Sequence, residues 1–391
     1  MTQIDWRGRN IMFKRVKSIF IVFLIFAIPF MVAACMKNNK VHDEDEKVTD
    51  ERAQNSLETE REQIKEPKTE SEKKQEELKE QVKKIDYQKV KPNELGHIMI
   101  IMYHGLVEEN PPSPYQRRIE DFKKDLNYLY DNGYRLISMK DYINNNISVE
   151  AGYTPIIITF DDGISTSFSL TDEDGKLSPT PNSAVDIMNK FCNEHPDFGK
   201  NAIFYINGDN DPFAGDGSFE ERVKYLTDNG YEVSSHTYSH AHLSKLDKGG
   251  IQEQLGKADK MIKDALPGYI ADSFAYPFGE RPKEELRYLI KEGIYEGEEY
   301  GYKIALREGP SGPFYPPYHI KFDSLNVPRV RGSEGEEGDL WWYLKYYEEY
   351  PHYRYISDGN PNRIAVTEGN EKNVNMESLN GKELYVYTIE E

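Results

Sequence analysis

The stretch Ile156-Ile157-Ile158-Thr159-Phe160-Asp161-Asp162-Gly163 decides how this chain is read. An apolar run of strand composition ends on two adjacent carboxylates and a glycine. A second stretch, His236-Thr237-Tyr238-Ser239-His240, sets two imidazoles four residues apart just after another predicted strand. One Asp and two His form a set of three hard or borderline ligands. A divalent metal held that way keeps open positions for water and substrate, as catalytic zinc sites do. The other Asp is then free to accept a proton. Taken alone, Asp-Asp-Gly is a turn or helix cap, and the histidines are surface residues. Both strings at strand ends of one sheet point instead to a metal-dependent hydrolase.

Working outward, strands and helices alternate. Strands are predicted over 97–103, 134–138, 155–160, 201–206, 231–234, 270–274, 303–306 and 325–328. Ile119, Phe122, Leu126 and Leu129 recur at helical spacing, with Asn132-Gly133 as the cap. Further helices are expected over 183–194, 219–228, 251–266 and 283–292. This alternation predicts a parallel sheet with helices outside, whose strand C-terminal edge gathers the active site. Two long loops, 165–181 and 207–218, should rim that mouth. The second carries Asp209, Asp211 and Asp216, at a spacing that does not fit a calcium loop.

The 391 residues carry a formal net charge of −19, which would repel nucleic acid phosphates. A neutral or cationic polymer is compatible with that charge, and the 28 tyrosines are many for the length. Near the start, Arg7, Arg9, Lys14, Arg15 and Lys17 precede an apolar stretch from Ile19 to Ala34, ending in Val32-Ala33-Ala34-Cys35. A basic start, an apolar middle and small residues before the cut are the layout of an export signal. Its end resembles the bacterial lipoprotein box, in which the cysteine is lipidated; Met12 is an alternative start. The other reading is a transmembrane anchor, since the stretch nearly reaches spanning length. Cys192, the second of two cysteines, then has no partner and is expected as a buried apolar residue. From Lys37 to about Lys89 the chain is almost all Lys, Glu, Asp, Gln and Thr, too polar to offset its ordering entropy. A flexible tether of roughly 50 residues has a root-mean-square reach of about 40 Å.

Thr159-Phe160-Asp161-Asp162-Gly163 and Asn229-Gly230-Tyr231-Glu232-Val233-Ser234-Ser235-His236-Thr237-Tyr238-Ser239-His240 resemble the first two motifs of the polysaccharide deacetylase family, the NodB-homology or carbohydrate esterase family 4 domain. The resemblance spans roughly residues 96–335. It implies an α/β fold, a distorted (β/α) barrel with fewer than eight strands. It implies Asp161 as catalytic base and Asp162, His236 and His240 as ligands of one divalent metal ion, usually zinc (Zn2+). In the third motif, Phe274-Ala275-Tyr276-Pro277-Phe278-Gly279, Ala275 stands where many members carry the Arg that orients the base; Tyr276 and Phe278 are its candidate substrate contacts. Arg329, in Val327-Pro328-Arg329-Val330, is a candidate substitute. The Leu-x-Leu-His motif that supplies the general acid is not visible, and His104, in Met102-Tyr103-His104-Gly105, is the candidate, with His319 as second choice. These departures resemble the poly-N-acetylglucosamine deacetylase branch.

The expected organisation is a lipoprotein signal peptide over 1–35, a charged flexible linker over 36–90, the deacetylase domain over 91–360 and an extension of unassigned role over 361–391. The expected partners are an acetylated polysaccharide and, through lipid on Cys35, a membrane; no nucleic acid and a monomeric state are expected, with the domain outside the cytoplasmic membrane. An O-acetyl esterase and a non-catalytic glycan-binding lipoprotein are the competing readings. Trp341-Trp342-Tyr343-Leu344-Lys345-Tyr346-Tyr347 is read as a final helix packing its aromatics on the barrel, or as a sugar platform.

Overall fold

A computed structural model describes residues 85–309 and 312–390. The apolar stretch ending at Cys35 and most of the charged linker lie outside them. Among the described residues no helix is long and apolar enough to cross a membrane.

The strands of the main sheet are β1 (Ile100–Tyr103), β2 (Tyr134–Leu136), β3 (Thr154–Asp161), β4 (Ile203–Ile206), β5 (Glu232–Ser235), β6 (Ser273–Ala275), β7 (Ile304–Arg307), β8 (Val327–Pro328) and β9 (Val330–Arg331). All pairings in it are parallel, in the order β8-β7-β6-β5-β4-β3-β1-β9, and β2 pairs with the first half of β3. The two ends of this order are two halves of one segment. Val327 and Pro328 pair with β7, and Val330 and Arg331 pair with β1. Residues 327–331 therefore bridge the ends of the sheet and bring it close to a barrel. Eight strands lie on the path and two are halves of one segment, so seven go round, fewer than eight as expected.

Period-two alternation sorts the strand residues into two faces. Ile100, Ile157, Ile203, Tyr205, Ala275, Ile304, Leu306 and Val327 come from strands all round the ring yet pack in one cluster, so they face the barrel interior. Ile101, Tyr103, Ile156, Ile158, Phe160 and Phe204 pack in another, under the outer helices. Thr159 and Asp161 share the parity of Ile157, and Arg329 that of Val327. The interior face thus carries apolar residues below and charged ones above.

The helices α1 (Ile119–Asp131), α2 (Ala184–Glu194), α3 (Phe219–Asp228), α4 (Lys248–Ala265) and α5 (Leu340–Glu349) carry recognisable starts and stops. Ser183 caps α2, and Ser218 with Glu221 forms a capping box on α3. Asn132 and Gly133, the latter at φ 76°, end α1 as the sequence predicts. Cys192 is buried. The segment 283–292 is not an α-helix: Glu284–Ile290 is 3-10, consistent with Leu286 and Leu289 lying three apart. The loop 165–181 is also more ordered than expected, because Leu170–Glu173 and Lys176–Pro179 form an antiparallel ribbon.

The folded chain starts before residue 91. Tyr87–Val90 is a single helical turn whose Tyr87 hydroxyl donates to Asp358 at 3.0 Å and whose ring meets Tyr385 and Tyr387. The C-terminal extension forms the parallel pair β10 (Arg363–Thr367) and β11 (Glu383–Tyr387), and Ile364, Val366, Val374 and Leu379 continue the interior cluster below the barrel. Buried Glu94 accepts from the backbone N–H of Ala365 at 2.7 Å and of Asp358 at 3.0 Å, tying that extension to the chain entering β1.

A second buried charge joins the outer layer. Asp125 of α1 accepts from Arg117 Nε at 2.9 Å and Nη2 at 2.8 Å, from the Tyr103 hydroxyl at 2.9 Å and from the Trp341 indole at 2.7 Å. Strand β1, α1 and α5 thus share one carboxylate. Trp341 is therefore a packing residue of the final helix. Asp125→Ala should leave the buried Arg117 without its main partner and cost about 3–5 kcal/mol. Tyr103→Phe, which removes one donor, should cost only about 1 kcal/mol. Denaturant midpoints measure both, and equal losses would contradict this ranking.

Candidate metal centre and its surrounding pocket

Asp161 is the last residue of β3, and its parity turns it into the barrel. Arg329 stands where the bridging segment passes from β7 to β1. Its guanidinium grips Asp161 with two parallel bonds, Nη1 to Oδ1 and Nη2 to Oδ2, each 2.7 Å. Nη1 also donates to Thr159 Oγ1 at 3.1 Å. Both charged side chains are buried, with 1% relative exposure for each residue. Burial alone would raise the Asp161 pKa, but the Arg329 charge and its paired hydrogen bonds hold it well below the usual carboxylate range. Asp161 is therefore a carboxylate in the folded protein.

Asp162 turns the chain away from the strand. Its φ of 72° is left-handed, a region that Asp tolerates better than most residues. Gly163 follows at φ 65°, and a Cβ there would come within 2.9 Å of the Pro212 Cβ. The sharp turn puts Asp162 Oδ1 at 3.5 Å from His236 Nε2 and 3.5 Å from His240 Nε2. Donor atoms of all three residues lie within 4.8 Å of one another. His236 leaves β5 with its Nδ1 bonded to the Ala275 carbonyl at 2.8 Å, so Nδ1 carries the proton and Nε2 offers a lone pair. Burial lowers the His236 pKa despite the nearby carboxylates, which keeps the ring in the neutral, ligating form. Asp162 Oδ1 is buried and has no hydrogen-bond partner. An orphaned carboxylate oxygen facing two imidazole lone pairs fits a divalent cation.

Other groups converge on the same cavity of about 300 Å³. His104, just past β1, points its Nε2 to 3.8 Å from Asp162 Oδ2, on the other oxygen from the one facing the two histidines; its Nδ1 is buried without a partner. Tyr276 lines the wall, but its ring is buried and its hydroxyl is spent on the Leu325 carbonyl at 3.1 Å. Phe278 is half exposed, stacks on His242 at 4.0 Å and meets the His240 ring edge-on at 4.5 Å, so it also holds a candidate ligand in place. Thr237, His240 and Phe278 join Asp162 at positive φ, which concentrates backbone strain of about 1–3 kcal/mol per residue round one pocket. The structure thus brings together Asp161, Asp162, His104, His236, His240, Tyr276, Phe278 and Arg329. Cys35 lies outside the described residues.

Two expectations need correction. His319 is remote from this cluster: it lines a different cavity, stacks on Tyr315 at 3.9 Å and accepts from the Lys321 N–H on Nδ1. The loops 165–181 and 207–218 mostly pack on each other, through Asp216 N to the Leu170 carbonyl and Asp172 N to the Asp216 carboxylate. The cavity is bordered instead by Ser113, Tyr115 and Gln116, after β1, and by Glu308, after β7. Their only sequence signal was position past a strand end. Asn207 was also missed. It closes β4 and donates to the carbonyls of His236 and Thr237, fixing the turn that carries the imidazoles.

Residues 149–296 match the family described as polysaccharide deacetylase. A peptidoglycan-N-acetylglucosamine deacetylase of Bacillus cereus is 25% identical over 200 residues, covering 46% of this chain and 68% of its own. Among solved structures, a polysaccharide deacetylase from Bacillus cereus aligns with a TM-score of 0.47 at 20% identity, over 64% of this chain and 68% of its own. A Streptococcus pyogenes deacetylase in complex with acetate aligns with a TM-score of 0.47 at 17% identity, over 65% of this chain and 98% of its own.

Arg329→Met should strip Asp161 of its counter-charge and cost about 3–5 kcal/mol near neutral pH. The depressed carboxyl pKa means that the pair stabilises the fold above the ordinary carboxylate pKa and that this contribution fades as pH falls through the depressed value. The stability gap between wild type and variant should therefore narrow toward acid. Denaturation followed from neutral pH into the acid range measures it, and a gap that stays constant would contradict the electrostatic account.

Proposed function

We propose that this chain is a polysaccharide deacetylase that hydrolyses the N-acetyl groups of N-acetylglucosamine units in a cell-surface polysaccharide, with one zinc ion held by Asp162, His236 and His240. The observation that carries the reading is the cluster of one carboxylate and two imidazole nitrogens beside a second carboxylate kept ionised by a buried arginine. The name of the Bacillus cereus relative supports the N-acetylglucosamine class of substrate.

In this mechanism Asp161 is the base. Its carboxylate takes a proton from water as the water oxygen attacks the acetyl carbonyl carbon. The bound ion supplies Lewis acidity toward that carbonyl and lowers the pKa of water. That acidity matters, because a carboxylate with so low a pKa is a weak base toward free water. Arg329 holds the Asp161 oxygens in one plane and keeps the group charged between turnovers. As the amide C–N bond breaks, His104 protonates the leaving nitrogen, so that the sugar departs as an amine and the acyl group as acetate. His104 and Asp161 line the same cavity, His104 3.8 Å from Asp162 Oδ2 and Asp161 held by Arg329, which supports delivery and removal of protons by different groups at one bound amide. Phe278 offers an exposed ring face at the mouth for the sugar, and Tyr276 a wall. We place the domain outside the cytoplasmic membrane, held by lipid on Cys35.

Acetate release from oligo-N-acetylglucosamine and from peptidoglycan fragments, with and without a chelator, tests the reading. The chelator should abolish release, and free amines should appear in step with acetate; free hydroxyls instead would mean an O-acetyl esterase. Asp161→Asn should keep the metal and lose at least about 10²-fold in turnover. His236→Ala should lose the metal, read by elemental analysis, and His104→Ala should keep it while turning over slowly. Near-wild-type turnover in Asp161→Asn would end the assignment of the base. Fatty-acid labelling should mark the wild-type chain and miss Cys35→Ser; equal labelling of both would exclude Cys35 as the anchor.

A further inference from the structure

His104 is held differently from the imidazoles of the metal cluster. His236 is fixed by a bond between its Nδ1 and the Ala275 carbonyl. No hydrogen bond fixes the His104 ring. Its Nδ1 has no partner, and its Nε2 stands 3.8 Å from Asp162 Oδ2, beyond bonding distance. A group that delivers a proton to one atom needs a defined direction, and a misplacement of about 1 Å can cost ~10²-fold in rate. Packing has to supply what hydrogen bonding does not. Among the described residues, Tyr115 is the one aromatic ring against His104, at 4.9 Å between centroids and 41° between planes. The backbone ties the two as well, since the His104 N–H donates to the Tyr115 carbonyl at 3.1 Å.

Tyr115 is itself anchored. Asn110-Pro111-Pro112-Ser113-Pro114 leads into it, and each proline fixes its own φ, which stiffens the approach. The Arg117 N–H donates to the Gly105 carbonyl at 3.1 Å and closes the loop. The Tyr115 hydroxyl donates to Glu308 Oε1. Burial and that bond raise the tyrosine pKa, so the hydroxyl keeps its proton. Glu308 follows β7 and is backed by Gly279 of the third motif, at φ 66°, where a Cβ would come within 3.0 Å of the Glu308 carbonyl oxygen. Tyr115, Glu308 and His104 all line the cavity of Asp161 and Asp162. Strands β1 and β7 do not pair with each other; residues 327–331 join them. The bond from Tyr115 to Glu308 therefore spans the closing seam at the mouth.

We propose that Tyr115 is a positioning residue for His104, and that Glu308 sets the place of Tyr115 through its hydroxyl. The inference rests on the reading of His104 as general acid. The Tyr115 ring closes one side of the imidazole, and the bond to Glu308 stops that ring from swinging away from it. The competing role for both residues is direct contact with the sugar, since both border the mouth. The two roles differ in what they change. Positioning the acid acts on the breaking of the C–N bond and so on kcat, whereas a sugar contact made equally before and during reaction acts on KM.

Turnover of oligo-N-acetylglucosamine by variants of the full chain tests the proposal. Tyr115→Phe keeps the ring and removes the hydroxyl, with little risk to folding. Tyr115→Phe and Glu308→Ala should each lower kcat about 10-fold with KM and metal content unchanged, and the double variant should fall no further than either. Glu308→Gln, which retains an acceptor, should recover most of the loss. On a His104→Ala background, Tyr115→Phe should change kcat by less than about twofold, because the group it positions is gone. Nitrogen-15 spectra of histidine-labelled protein give a readout apart from activity: the His104 ring signals should shift or broaden in Tyr115→Phe, and those of His236 should stay. Losses that multiply on the His104→Ala background, a raised KM with kcat intact, no rescue by Glu308→Gln, or unmoved His104 signals would overturn the proposal and leave the acid assignment standing. Near-wild-type turnover in His104→Ala would overturn that assignment, and this proposal with it.

Discussion

The paired bonds between Arg329 and Asp161 are the constraint on which the site depends. A carboxylate placed inside a barrel among isoleucines would sooner take a proton than stay charged. Here a guanidinium, itself buried, arrives in the plane of the carboxylate and makes ionisation the lower-energy state. Neither group tolerates the interior without the other, and the pair is worth keeping only because both oxygens and Thr159 are satisfied together. Its geometry in turn requires that 327–331 switch partners from β7 to β1 around a single residue. The position of the arginine and the closure of the sheet are one structural fact.

From that anchor the surrounding groups have separable tasks. Asp161 is locked and charged. Asp162, one residue on, is turned out of the strand and left with an unpartnered oxygen, so the two neighbouring carboxylates have opposite surroundings despite identical chemistry. The imidazoles are held by backbone, His236 through the Ala275 carbonyl and the turn through Asn207. Ala275 is small and faces the interior. The third motif therefore delivers no cation to Asp161, and the cation reaches it from the closing segment instead.

Much of this could be read before any coordinates. The period-two pattern ending at Asp161 and the capped amphipathic pattern over 219–228 were legible because burial and capping leave local marks. Helix α3 falls on its predicted bounds. The pairing of Arg329 with Asp161 was legible as an expectation only through the family resemblance, because Ala275 leaves the base-orienting cation of the third motif vacant and Arg329 follows a late predicted strand. What escaped was non-local. That 327–331 divides between two strands depends on where the ring closes, which no window of sequence records. Tyr115, Gln116 and Glu308 reach the mouth from loops without periodicity. The apolar residues of 363–387 alternate like any strand, and nothing in them says that they continue the core under the barrel. The 3-10 turn over Glu284–Ile290 was missed because i, i+3 apolar spacing serves both helix types.

Gly332 completes the closure. It follows β9, donates its N–H to the Met102 carbonyl at 2.9 Å, and lies so close beneath the Tyr103 ring that a Cβ would sit 2.0 Å from it. The ring of Tyr103 thus lies over the seam just past Arg329, and its hydroxyl reaches the Asp125 hub of the outer layer. Barrel interior and helical shell therefore meet at one latch. A copy of this chain in which 327–331 has not docked lacks the guanidinium that keeps Asp161 charged. On the proposed assignment of Asp161 as base, the fold is its own interlock: a partly opened molecule would be chemically silent.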